Sequence, residues 1–287
     1  MRVETRRRWA IAGLTGPAYL WLTLTIFLPL SAMLYFSFLT TAPLGKRTPE
    51  LTLENYQDFL AKDYLQALTW RSLEMGLQVT LLCMAIGFPT AYVLAKRIRG
   101  RWREALFLLV VLPFWSNALV RVFSWTIVLR PGGVLDGGVQ ALVPGAPRID
   151  LADSWAAVII GLTHSYLPYM ILTCYLSLQA IDDSLIEAAR SLGARAGTIL
   201  LRIVLPLAVP GLAAGSILIF VPVIGSFFEP RLLGGTQGTV IGTVIEDQFT
   251  AVFNWPLGGA LSFILLAIVL AILAVSYPLL KSHLRAA

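Results

Sequence analysis

The chain is poor in nearly everything a soluble enzyme works with. Only 13% of its 287 residues are charged, about half the share of an ordinary soluble domain, and 57% are apolar. That balance excludes a soluble globular domain. The formal net charge of +6 is scattered beside apolar runs and lines no single face, which excludes nucleic acid as the reason for it. Histidine occurs twice, and there is no H-E-x-x-H, no G-x-S-x-G and no paired-histidine arrangement, so a membrane-embedded hydrolase is disfavoured. The two cysteines, Cys83 and Cys174, lie inside apolar runs with no partner at metal-ligand spacing. They read as small buried apolar residues and say nothing of redox compartment. Of the four lysines only Lys46 follows a glycine, and Arg47 stands where a phosphate-binding G-x-x-x-x-G-K-[ST] loop needs a hydroxyl. The chain carries no nucleotide-hydrolysing loop of its own.

What it has is apolar length. Mean hydropathy is +0.76, and six segments reach the ~20 residues needed to cross the hydrocarbon. They run at roughly 10–39, 72–95, 105–129, 154–178, 205–227 and 257–280. The fold class is therefore all-α, a polytopic membrane protein with six transmembrane helices. Pro29, Pro89, Pro113, Pro168 and Pro222 fall inside spans, where neighbouring helices satisfy freed backbone groups and kinks are expected. The first run far exceeds the ~7–15 residues of a signal h-region and reads as a retained span.

Lysine and arginine in the connections set the orientation. Fourteen lie on one side, in Arg2, Arg6, Arg7 and Arg8, in Lys96 to Arg103, in Arg190, Arg195 and Arg202, and in Lys281 and Arg285. Seven lie on the other: Lys46, Arg47, Lys62, Arg71, Arg130, Arg148 and Arg231. The richer side is expected to be cytoplasmic, with both termini. Residues 1–71 then hold the first span and a periplasmic loop, 72–280 the transmembrane core, and 281–287 a cytoplasmic tail. The 41–70 loop has apolar residues at helical spacing and is expected to form a short amphipathic helix. The Gly/Pro-rich 130–153 loop is expected to be turn-dominated.

Between the fourth and fifth spans stands SLIEAARSLGARAGTILLRIVLP, Ser184 to Pro206. Ser184 and Glu187 fit a capping box, Asp182 and Asp183 suit a helix N-terminus, and Gly193 suits the left-handed residue that ends a helix. A short helix, a turn and a second helix from Ala194 to Arg202 are expected, with Pro206 starting the fifth span. Ala188, Ala189 and Gly193 leave little side-chain bulk, and Leu185, Ile186 and Leu192 offer apolar contacts that a plain connector does not need. Docking of another surface is favoured over a bare connector.

Glu187-Ala188-Ala189, then Gly193 after three residues, then Ile203-x-Leu205-Pro206 after nine, resembles the EAA signature of ABC importer permeases. The resemblance covers at least residues 72–280 and implies a type I ABC importer permease fold. Residues 184–193 would then be a coupling helix docked on a separate ATPase. It further implies two copies of that ATPase, holding the ATP and Mg. A second permease, homologous or identical, and a periplasmic substrate-binding protein would complete the complex in the bacterial inner membrane. No cofactor is expected on this chain. Leu112-Pro113-Phe114-Trp115, Leu119-Val120-Arg121, Trp125 and Ser165 to Met170 are similar to spermidine/putrescine permeases, as are Pro230 to Gly235, Ile241-Gly242, Gln248-Phe249 and Trp255-Pro256. That group includes relatives for opines, phosphonates and other small solutes. Many relatives carry an acid right after the glycine of the fifth span. Here Gly225 is followed by Ser226, and the acid is Glu229.

The candidate substrate path is Trp115, Arg121, Trp125, Tyr166, Phe227, Phe228, Glu229, Glu246 and Asp247. Carboxylates and aromatic faces are what an ammonium-bearing cargo needs. The alternative for each acid is a solvated loop residue. Arg121 either lines the interface or orders the outer gate, or else snorkels to the outer headgroups, and it is an odd contact for a cation. His164 is expected in a hydrogen-bonded structural role, and Glu74 in a local pair with Arg71. For the basic 96–103 loop, positive-inside anchoring suffices. A secondary transporter is the rival class. It would want acids or histidines near mid-membrane, and the spans hold almost none.

Overall fold

The computed structural model describes residues 2–41 and 48–284, with side chains for 13–41 and 48–276. Of the orientation signals, Lys46, Arg47 and Arg285, with the side chains of Arg2, Arg6, Arg7, Arg8 and Lys281, lie outside the described residues. Six helical stretches among the described residues are long and apolar enough to cross a membrane. They lie at Gly13–Ser37, Asp63–Lys96, Ala118–Leu142, Trp155–Gln179, Ala196–Ile224 and Trp255–Ser276.

The first helix, α1 (Arg2–Ser37), is followed by α2 (Glu54–Ala61) and α3 (Asp63–Lys96). The expected amphipathic helix of the 41–70 loop is α2. The expected continuous third span, 105–129, is broken. It divides into α4 (Arg101–Val111), a 3-10 turn at Leu112–Trp115 and α5 (Ala118–Leu129). Pro113 has no N–H for a helix ladder, and Asn117 starts α5 afresh by accepting from Leu119 N at 2.8 Å. The 130–153 connection is not turn-dominated. It holds α6 (Val134–Leu142), secured by buried Asp136, which accepts from Gly132 N and Ile149 N.

The fourth span is α7 (Trp155–Gln179), which leads to α8 (Asp183–Ser191). The expected separate second helix does not exist as such. A short α9 (Ala196–Ile199) runs through a π turn, Leu200–Val204, into α10 (Leu205–Ile224). Pro206 cannot donate to the ladder, and the widened turn ahead of it absorbs the mismatch by letting Leu205 N reach Leu200 O. The chain then continues through α11 (Phe228–Leu233), α12 (Ile241–Thr250) and α13 (Trp255–Leu284).

Two compact units emerge, Met1–Asp63 with Ile245–Leu266, and Tyr64–Val244 with Ala267–Ala287. In the smaller unit Asn55 donates to the carbonyls of Ser37 and Leu39, and Ser37 Oγ lies 2.7 Å from the Tyr56 hydroxyl. In the larger unit α10 packs on α7 through Gly211 and Gly215, four residues apart. A Cβ at Gly211 would lie 2.6 Å from Thr173 O, and one at Gly215 2.5 Å from Thr173 Oγ1. Lipid tails are as apolar as leucine, so burial of greasy surface does not drive such packing. Close backbone approach does, because it multiplies dispersion contacts. Buried Met170 fills the space beside this crossing.

Candidate functional site

Helix α8 is short, capped at both ends and half unpartnered. Asp182, not Ser184, is its N-cap, and the Asp182 carboxylate accepts from Ser184 N at 2.9 Å. The expected capping box is therefore not formed. Aspartate is as good a cap as serine, and starting the helix two residues earlier takes Glu187 out of the capping-box position and leaves it exposed. The C-terminal end matches the expectation. Gly193 sits at φ +80°, with Ala194 N bonded to Ala189 O and Gly193 N to Arg190 O. This pair of bonds is a Schellman ending, which requires the left-handed residue. Ile186 is buried and Ala189 half-buried, while Leu185, Ala188 and Leu192 are exposed on one face. Leu192 is 89% exposed. An apolar stripe one backbone layer deep, with no side-chain bulk between its leucines, is a surface made for contact. Ile203 and Leu205 are half-buried beneath this elbow, in and after the π turn, and Pro206 is exposed.

The sequence reading missed the residue that holds α8 in place. The Lys96 ammonium, in the last turn of α3, donates to Ile181 O at 2.6 Å and to the Asp183 carboxylate at 2.7 Å. Hydrogen bonds from Ser184 hold the Asp182 carboxyl below the usual carboxylate range, and the Lys96 hydrogen bond does the same for Asp183. Both are charged wherever the protein works.

A second constellation lies in the same unit. Arg121, Trp125 and His164 line a cavity of about 290 Å³ with Ser116, Val120, Ser124 and Val128. The Arg121 guanidinium makes one long bond, to Pro113 O at 3.3 Å, and its buried Nε has no hydrogen-bond partner among the described residues. His164 is not in the expected hydrogen-bonded role. It makes no hydrogen bond among the described residues and meets the Trp125 ring edge-on at 5.4 Å. Phe114, Tyr169 and Tyr166 follow one another at ring separations of 4.7 and 5.9 Å, and Tyr166 lies within electrostatic reach of both Glu229 and Arg121. Glu229 is half-buried and accepts from Ser226 Oγ at 2.7 Å, so the serine that replaces the usual acid orients the acid three residues on. Arg121, Trp125, Tyr166, Phe228 and Glu229 thus belong to one unit. Trp115 is 88% exposed and Phe227 is exposed, while Glu246 and Asp247 belong to the smaller unit. The expected Arg71–Glu74 pair is not formed. Arg71 instead stacks over Trp155 at 4.6 Å and donates to Gln237 O, and Glu74 accepts from Gln78.

Residues 87–285 match the family described as "binding-protein-dependent transport system inner membrane component". The chain belongs to that family. This inner membrane component is 37% identical over 257 residues to the spermidine/putrescine transport system permease protein PotB of Haemophilus influenzae, an alignment that takes in 90% of this chain and 89% of the relative. It is equally similar to PotB of Escherichia coli strain K12, over 90% and 92% of the two chains. Its fold matches a bacterial ABC transporter involved in the import of the acidic polysaccharide alginate, with a TM-score of 0.77 over 98% of this chain and 99% of that one. At 18% identity that likeness speaks for the fold alone. The inner membrane component is thus a multi-pass membrane protein with the type I ABC importer permease fold, a transport subunit and not an enzyme.

Proposed function

We propose that this chain is the polyamine-conducting permease of an ATP-driven importer, worked from the cytoplasm through α8. The observation that carries the reading is α8 itself, a helix capped at both ends with an exposed Leu185–Ala188–Leu192 face. A capped helix passes a displacement on, whereas a flexible loop absorbs it. In this reading two ATPase subunits hold ATP and Mg, and each docks on one coupling helix. A second permease, homologous or identical, completes the path, and a periplasmic binding protein delivers cargo. The positive-inside count supports cytoplasmic termini. The 37% identity to permeases named for spermidine and putrescine supports the cargo class. Glu229, with Tyr166 in electrostatic reach and Phe228 beside it in sequence, supplies the charge and aromatic surface that ammonium groups need. Phe227, Trp115, Glu246 and Asp247 stay in the proposed path on their sequence pattern alone.

Gly193→Asp in the reconstituted complex tests the coupling. A Cβ at Gly193 meets nothing within 4 Å inside this chain, so its effect arises from the left-handed backbone and from whatever docks there. The expected result is an assembled complex whose spermidine uptake falls by about tenfold or more, the loss of about 1.4 kcal/mol of coupling. Uptake at the wild-type rate would refute the reading.

A further inference from the structure

We infer that Lys96 is a positioning residue for α8, a charged pin that makes α3, the end of α7 and the start of α8 move as one piece. This rests on the coupling reading above. A lysine at the end of a membrane span ordinarily extends its stem and keeps its ammonium in water or among headgroups. Lys96 does the opposite. Its side chain is 7% exposed, while Arg97 and Arg99 beside it stay exposed and can serve the ordinary anchoring role. Two of its three N–H donors are spent inside the chain. One goes to Ile181 O, just beyond α7, and the other to Asp183, the first residue of α8.

Those acceptors lie 85 and 87 residues away in sequence, so the bonds join elements and do not merely close a local turn. Little else orients α8. Its apolar grip on the unit is Ile186, with Ala189 half-buried one turn on, and its remaining apolar side chains face outward. A hinge at 180–182 would let such a helix swivel when pushed. The ammonium closes that hinge by binding a carbonyl within it, at Ile181, and a carboxylate just after it, at Asp183. Displacement of α8 then reaches α3 directly through Lys96, besides reaching α7 through the backbone. The carboxylate partner is 60% exposed, so the ion pair adds little to global stability and acts mainly on direction.

The test uses the complete complex in proteoliposomes, with ATPase subunits, second permease and binding protein, and counts spermidine moved per ATP hydrolysed. Lys96→Met is expected to lower that ratio roughly five- to tenfold. Lys96→Arg, which keeps charge and donors, should stay within about twofold of wild type. Asp183→Asn should lose less, because the bond to Ile181 O remains, and the double variant should be no worse than Lys96→Met alone. Amide exchange across residues 183–193 in the same complex should quicken in Lys96→Met, a readout that does not depend on cargo. A Lys96→Met ratio within about twofold of wild type, or losses in the double variant that multiply, overturns the inference. Should Lys96→Met fail to assemble, Asp183→Asn decides in its place, since an unchanged ratio and unchanged exchange there also overturn it. Gly193→Asp, run alongside, separates the two ideas. If it uncouples transport while Lys96→Met does not, only the pin fails, and if neither uncouples, the coupling reading itself fails.

Discussion

The α8 elbow and the cavity around Arg121 each hold a cation largely turned away from solvent, and the chain treats them in opposite ways. At the elbow Lys96 meets a carbonyl and a carboxylate at 2.6 and 2.7 Å. Asp182 caps the helix and Gly193 closes it, leaving the polar groups that shape the elbow with partners inside the chain. Among the described residues Arg121 has one side-chain bond of 3.3 Å and an unpartnered buried Nε in the cavity, and His164 meets the edge of Trp125 without a side-chain hydrogen bond. A saturated site holds shape, because its groups gain nothing from an outside ligand. An unsaturated site faces a continuing desolvation penalty, which a water, a cargo or another chain can lift. The contrast separates a part of the molecule whose groups hold one another in place from a part whose polar groups are left open to a ligand.

Three experiments strain this contrast. The largest effect is expected from Glu229→Gln, which removes the charge that Ser226 orients while keeping the shape. Spermidine uptake should fall about tenfold, with complex assembly unchanged by size-exclusion chromatography. Unchanged transport would remove Glu229 from the path. A smaller change is expected from Arg121→Met. Losing a partly buried charge with poor partners should leave the thermal unfolding midpoint of the complex unchanged or slightly raised. Uptake should change by about threefold. A clear drop in the midpoint would mean that Arg121 is structural, like Lys96, and the contrast would dissolve.

The smallest effect concerns pH. Asp182 and Asp183 have carboxyls held below the ordinary range, so what their charges contribute is complete above the unfolded value of about 3.9. It fades only as pH falls through the lower folded values. Protection factors for the first-turn amides of α8 should therefore be flat from pH 8 to about 5 and drop only below about 4. Weakening that began near neutrality would point to a different set of partners.

The elbow was largely legible in sequence and the cavity was not. Glu187, Ala188, Ala189 and Gly193 lie within two helical turns of one another, where local rules hold, and a glycine at that helix end takes the left-handed conformation. The capping box failed for an equally local reason, since Asp182 offers a carboxylate oxygen two residues sooner. Lys96 was read as one more positive charge beside a span, because nothing near it in sequence announces acceptors 85 and 87 residues away. Arg71 was matched to the nearby Glu74, yet a Trp155 face and a carbonyl at residue 237 won it. Trp115 lay in a motif and proved 88% exposed. The Gly211–Gly215 pair could have been found from its spacing of four, which puts both on one face of a span.

Sequence alone determined the number of spans and the rough limits of all but the third, which is divided at Leu112–Trp115 and runs on to Leu142. A peptide group in hydrocarbon must bond within its own helix, so apolar run length and missing N–H groups leave little choice. Only the tertiary structure decided which charges turn inward and what they grip. That choice depends on acceptors brought close by helix packing, and no spacing along the chain encodes it.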